Sequence, residues 1–116
     1  MQDNLLVDLS KQFSVKIIKM CSNINQNKIS GILISQIVRS STSIGANIHE
    51  GNYASSKADF INKFQIALKE CYETSYWLDI MKDSEILTKE AFDELNECCC
   101  IIRRILAASI KTAKNK

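Results

Sequence analysis

The sequence predicts an all-α protein, an antiparallel up-down-up-down four-helix bundle. Three observations carry that expectation. The 116 residues include three Gly and no Pro, too few for the many turns of an all-β domain. Apolar residues recur at steps of three and four through four long segments, which is the period of a helix face. The breaks between segments are short and polar, and short connections force neighbouring helices to run antiparallel. With 46% hydrophobic residues the chain can fill a core, and its length suits a single domain over 1–116.

The first helix is expected over about 3–24, where Leu6, Leu9, Phe13, Ile17, Met20 and Ile24 form the apolar stripe and Asp3 the N-cap. A polar break at 23–27 precedes the second helix, about 28–50, with Ile29, Leu33, Ile37, Ile44 and Ile48 on one face. Its isoleucines suit a strand, but a stretch of that length without a turn signal suits a helix. Gly51 follows where a left-handed cap residue belongs. The third helix, about 57–82, has Ser56 as cap with Asp59 reaching back, and a stripe of Ile61, Phe64, Leu68, Cys71, Ser75 and Leu78. The fourth, about 89–112, follows Thr88 as cap. Its stripe is Leu95, Cys99, Ile102, Leu106 and Ser109, widened by Phe92, Ile105 and Ile110. The tail at 111–116 is polar and basic.

Charge is nearly balanced, with 15 Lys+Arg against 13 Asp+Glu for a net +2. That argues against a histone-like polycation and an acidic disordered tail. On the fourth helix the signs separate. Glu90, Asp93, Glu94 and Glu97 lie toward its start, and Arg103, Arg104, Lys111 and Lys114 toward its end, with no acid after Glu97. Complementation of the helix dipole explains the arrangement. A basic end for a polyanion is the functional alternative. The first residues include an acid and no basic run, unlike a signal peptide, and no apolar run approaches the ~20 residues that span a bilayer. A cytoplasmic location away from membranes is expected.

Five Cys are present with no CxxC pair. Cys98, Cys99 and Cys100 on one helix point about 100° apart and cannot converge on one metal. They read as reduced thiols packed as small apolar groups. Glu70-x-x-Glu73 and Glu94-x-x-Glu97 resemble the paired carboxylates that hold Mg²⁺ in helical pyrophosphohydrolases. No Glu-x-x-His motif of the di-iron kind occurs, and His49 directly precedes Glu50, the wrong spacing to share a metal. Neither a nucleophile–base pair nor a metal-spaced set is visible, so no enzyme, cofactor or metal is expected.

One segment departs from an ordinary core helix. Residues 40–43 are consecutive Ser/Thr, followed by Gly45, in mid-helix. Gln36, Ser40, Ser43, Asn47 and Glu50 step four, three, four, three, forming a polar and small stripe. On the third helix Ile66, Glu70, Glu73 and Trp77 share a face. In an antiparallel hairpin, helix rise brings Arg39 within about a turn of residues 68–70. The expectation is a structural polar layer of Gln36, Arg39, Ser40, Ser43, Asn47, Glu70 and Glu73 that sets register.

The run Gln36…Arg39-Ser40…Ser43-Ile44…Asn47-Ile48…Glu50-Gly51, followed by Ile66-Ala67…Glu70…Glu73-Thr74…Trp77-Leu78, resembles the bacterial 23S rRNA intervening-sequence protein family. That family of small four-helix bundles is similar to the accessory protein of diversity-generating retroelements. The resemblance implies a homo-oligomer, with a pentameric ring as the first assembly to consider. The cluster of Tyr72, Tyr76 and Trp77, with Ile32, Ile34 and Val38 off the main stripe, fits contact with a neighbouring subunit.

Two functions follow. The first is a non-catalytic accessory factor for RNA or DNA, touching phosphates through Lys11, Lys16, Lys19, Arg103, Arg104, Lys111 and Lys114. It lacks a known RNA-binding signature with stacking aromatics, so shape-driven, salt-dependent binding is expected. The second is a scaffold for protein partners with no nucleic acid bound.

Overall fold

The computed structural model describes residues 4–116. Four helices run in order: α1 (Asn4–Ser22), α2 (Lys28–Asn52), α3 (Lys57–Asp83) and α4 (Lys89–Lys114). Each packs on its chain neighbour, and α1 closes the square against α4. The bundle measures 47 × 21 × 19 Å.

Polar residues start three of the helices. Asn27 Oδ1 accepts from the amides of Ile29 and Ser30 at 2.9 Å, and Ser30 Oγ accepts the Asn27 amide at 2.8 Å, completing a capping box. Ser56 Oγ accepts from the Asp59 amide and Thr88 Oγ1 from the Ala91 amide, both at 3.1 Å. Asp3, the expected cap of α1, lies outside the described residues. The end of α3 is a Schellman turn in which the Ile86 amide donates to the Met81 carbonyl and the Glu85 amide to that of Lys82. Glu85 takes the left-handed position at φ 60°, where Gly is the usual residue.

Gly51 is not the expected left-handed cap. No Gly has positive φ, and α2 continues to Asn52. Gly51 is instead buried where α2 meets α3. A Cβ there would lie 2.7 Å from Phe64 Cδ1, so the missing side chain sets how closely the helices approach.

Most expected stripe residues are buried, among them Phe13, Ile17, Ile37, Ile44, Ile48, Phe64, Cys71, Leu78, Leu95, Cys99, Ile102 and Leu106, and the seams depart from the stripes at the remaining positions. On α1 the buried residues are Leu6, Ser10, Phe13, Ile17 and Cys21, while Leu9 and Met20 are half-buried, as is Ile24, which lies past the helix end rather than on it. On α2 Ile29 is 70% exposed and Ser30 is buried in its place. On α3 the core takes Phe60, Ala67, Thr74 and Met81, and Ile61, Leu68 and Ser75 are half-buried. On α4 Ser109 yields its place to Ile110 and Ala113. Steps of three and four leave flanking positions open to either side, and packing between helices draws in some of them, small ones such as Ser10, Ser30, Ala67 and Thr74 among them.

Those small residues line two seams. Between α1 and α2, Ser10 faces Gly45, and Ser14 Oγ donates to the Ser41 carbonyl at 3.3 Å. Between α2 and α3, Thr74 Oγ1 and Ser40 Oγ are hydrogen-bonded at 2.8 Å with both side chains fully buried. Thr74 Oγ1 also lies 2.8 Å from the Glu70 carbonyl. Among the described residues, every buried side-chain N or O has a partner.

Candidate functional site

The first candidate region is the α2–α3 face. Helix periodicity puts Gln36 and Arg39 on its α2 side and Glu70, Glu73 and Trp77 on its α3 side. Arg39 Nη1 lies 3.3 Å from Glu70, its Nη2 bonds Glu73, and its Nε donates to Gln36 Oε1 at 3.4 Å. Trp77 Nε1 donates to Glu73 at 2.9 Å. One guanidinium therefore ties two carboxylates, and Glu73 gains an indole donor. The site is graded in depth: the Arg39 side chain is 50% exposed and that of Glu70 15%.

Not every member of the expected polar layer joins this network. Ser40 lies beneath it, paired with Thr74. Ser43 and Asn47 bond each other along α2, with Asn47 Nδ2 donating to the Ser43 carbonyl at 2.9 Å and to its Oγ at 3.1 Å. Glu50 pairs with Lys63 of α3. Sequence spacing did not single out Thr74, whose bond to Ser40 forms only once α2 is laid against α3.

The basic residues fall into two groups. Lys11, Lys16 and Lys19 line one shallow groove on α1, together with Asp8, Gln12 and Val15. Lys16 is engaged there by Glu94 at 3.3 Å and the Cys98 thiol at 3.8 Å. The contact with Glu94 raises the Lys16 pKa. Because α1 runs opposite to α4, Lys16 lies beside its acidic half. The other group is on the basic half of α4. Arg104, Lys111 and Lys114 are exposed there, without a carboxylate partner among the described residues. Arg103 is half-buried, its guanidinium 5.4 Å from the centroid of the Tyr72 ring and 3.6 Å from the Cys100 sulfur. Those neighbours raise its pKa.

The thiols are all free, and Cys21, Cys71 and Cys99 are buried. Burial pushes the Cys21 thiol up to about 11. Hydrogen bonding to Cys99 and burial raise that of Cys71. Among the described residues, no three His, Cys, Asp or Glu side chains are placed to hold a metal ion. Both Glu70 and Glu73 face a cation of the chain itself, and His49 packs against the Tyr53 ring. No described helix is long and apolar enough to cross a membrane.

Three residues suggested for subunit contact are partly covered within the chain. Ile34 and Val38 pack against the core, as does Trp77. Ile32, Tyr72 and Tyr76 remain 57%, 57% and 58% exposed.

The family model of the 23S rRNA-intervening sequence protein matches residues 2–108. The crystal structure of a protein of unknown function from the S23 ribosomal protein family of Bacteroides thetaiotaomicron VPI-5482 is similar throughout. Its TM-score is 0.89 and its identity 41%, covering 96% of this chain and 99% of that one. No curated protein matches the chain.

Proposed function

Because the chain belongs to the 23S rRNA-intervening sequence protein family, we propose that it is a non-catalytic, homo-oligomeric accessory factor for nucleic acid or a ribonucleoprotein. The observation that carries the reading is the basic half of α4. Its cations beyond Glu97 include exposed, unpaired Arg104, Lys111 and Lys114. Lys57, whose Nζ meets the Lys116 carbonyl, adds a charge at the same end. Dipole complementation accounts for cations in the last turn, but Arg104 lies well before it. A cluster of this kind attracts phosphates and releases their counterions on binding.

Self-association is the second part of the proposal. Val15 and Ile18 on α1 and Ile29 and Ile32 on α2 are between 42% and 70% exposed, and a bundle this thin has no second layer to cover them. A pentameric ring is the first assembly to test. Sedimentation equilibrium of the purified chain, followed by filter binding of RNA to the wild type and to Arg104→Glu, tests both parts. An oligomer whose RNA retention drops in the variant supports the reading. Equal retention by both proteins contradicts the assigned face, and a monomer contradicts the assembly. An oligomer that retains no RNA favours the protein-scaffold role.

A further inference from the structure

The outer face of α3 carries an aromatic ladder beside the basic half of α4. Tyr72 and Tyr76 stand one turn apart, about 6 Å by helix rise. Both are more than half exposed. Arg103 reaches across from α4 to lie over the Tyr72 ring, and Trp77 packs edge-on to Tyr76 at 5.3 Å between centroids. Lys69 shares the face with Tyr72 and Tyr76 by helical spacing and is exposed without a carboxylate partner among the described residues. Arg104 and Lys111, seven residues apart, share one face of α4. The acids Asp79, Asp83 and Glu97 lie toward the other end, past Tyr76. Arg103 and Lys69 thus flank the rings, Arg104 and Lys111 continue the positive charge on the adjoining outer face of α4, and Glu73 on the α2 side of the ladder is held by Arg39 and Trp77.

We infer that this α3–α4 edge binds single-stranded nucleic acid, with Tyr72 and Tyr76 stacking bases and Lys69, Arg104 and Lys111 holding phosphates. The inference rests on the nucleic-acid reading above and names its ligand class. Duplex bases are stacked about 3.4 Å apart with their faces covered, so tyrosine rings on a helix can reach a duplex only at its backbone or base edges, never at a base face. Two exposed rings one helix turn apart, about 6 Å along the axis, suit splayed bases instead. Arg103 under Tyr72 adds a cation to the platform, an arrangement common to single-strand binding surfaces. This is the stacking element that the sequence lacks as a motif: a pair of tyrosines in a helix has no signature until both are seen at the surface.

The test is fluorescence anisotropy with three probes of equal phosphate number: single-stranded oligoadenylate, its duplex with oligouridylate, and an abasic strand. The wild type is expected to bind oligoadenylate tightest. Tyr72→Ala and Tyr76→Ala are each expected to weaken that binding about tenfold, while leaving the duplex and abasic probes unchanged. Tyr72→Phe and Tyr76→Phe should retain it, because the ring remains. Helical circular dichroism and sedimentation accompany each variant. Alanine variants that bind oligoadenylate like the wild type overturn the inference and leave the nucleic-acid reading standing. So does a wild type that binds the abasic strand equally well. A wild type that binds none of the probes ends both. If Tyr72→Ala or Tyr76→Ala changes the oligomeric mass, the ladder is a subunit contact and the inference fails.

Discussion

Replacing Gly51 by Ala should destabilise the bundle, against the usual trend for a helical glycine. An added Cβ would sit 2.7 and 2.8 Å from two carbons of the Phe64 ring and 3.3 Å from Lys63 Cβ. Phe64 is fully buried and packs on Phe60 with ring centroids 4.2 Å apart, so it cannot swing aside. Overpacking of this kind costs about 1–3 kcal/mol, and a contact this short belongs in the upper part of that range. Alanine returns about 1 kcal/mol of helix propensity. The net loss should be about 1–2 kcal/mol. For a chain of this length that lowers the melting temperature by about 4–8 °C. Gly31→Ala is the internal control: nothing lies within 4 Å of its Cβ position. It should gain about 0.5–1 kcal/mol. Thermal and urea unfolding followed by circular dichroism at the helical band compares the two. A Gly51→Ala protein as stable as the wild type, or two variants that shift together, refutes the close approach of α2 and α3.

Other consequences follow from the same packing. Arg39→Ala leaves Glu70 and Glu73 facing each other without their cation and should cost about 1 kcal/mol, discounted for the half-exposed guanidinium. Adding Glu73→Gln should recover part of it, and strict additivity in a double-mutant cycle counts against the network. Glu85→Gly relieves a left-handed glutamate and should raise urea stability by about 1 kcal/mol; no gain argues against the Schellman turn. N-ethylmaleimide followed by mass spectrometry should label half-buried Cys98 and Cys100 in the native protein, and Cys21, Cys71 and Cys99 only after unfolding. Fast modification of all five would contradict the core. The Cys21 thiol is raised by folding to about 11 from an ordinary 9.0, so its contribution is intact below pH 9. It is lost as pH rises toward 11, and an alkaline urea series on Cys21→Ala should show a shallower decline than the wild type.

The helices and their order were legible because each segment holds a three-four period over five or more turns. The inward face was largely legible as well, and what was not is which flanking positions join it. Ser10, Ser30 and Thr74 look like surface residues in sequence, and Ile29 looks like core. The choice is made between helices, where Gly45 and Gly51 let backbones approach and Ser40 finds Thr74. The meeting of Arg39 with Glu70 follows from hairpin arithmetic alone, whereas the Trp77–Glu73 bond does not. Seven basic residues read as one set divide in space because the α1 lysines share one groove, where Lys16 meets Glu94, while Arg104, Lys111 and Lys114 stay on the end of α4. Gly51 shows the limit most plainly: a glycine near a helix end suggests a cap, and only Phe64 reveals a contact.

The most direct test of the account is the salt dependence of RNA binding by the folded protein. Anisotropy titrations of single-stranded RNA across a salt series should give micromolar or tighter binding at low salt. About three or four phosphate contacts per site predict a log–log slope of about −2 to −3. Arg104→Ala and Lys111→Ala should each reduce that slope by about one contact. A well-formed oligomer that binds no RNA at low salt, or binds it with no salt dependence, contradicts the claim that the basic half of α4 meets nucleic acid.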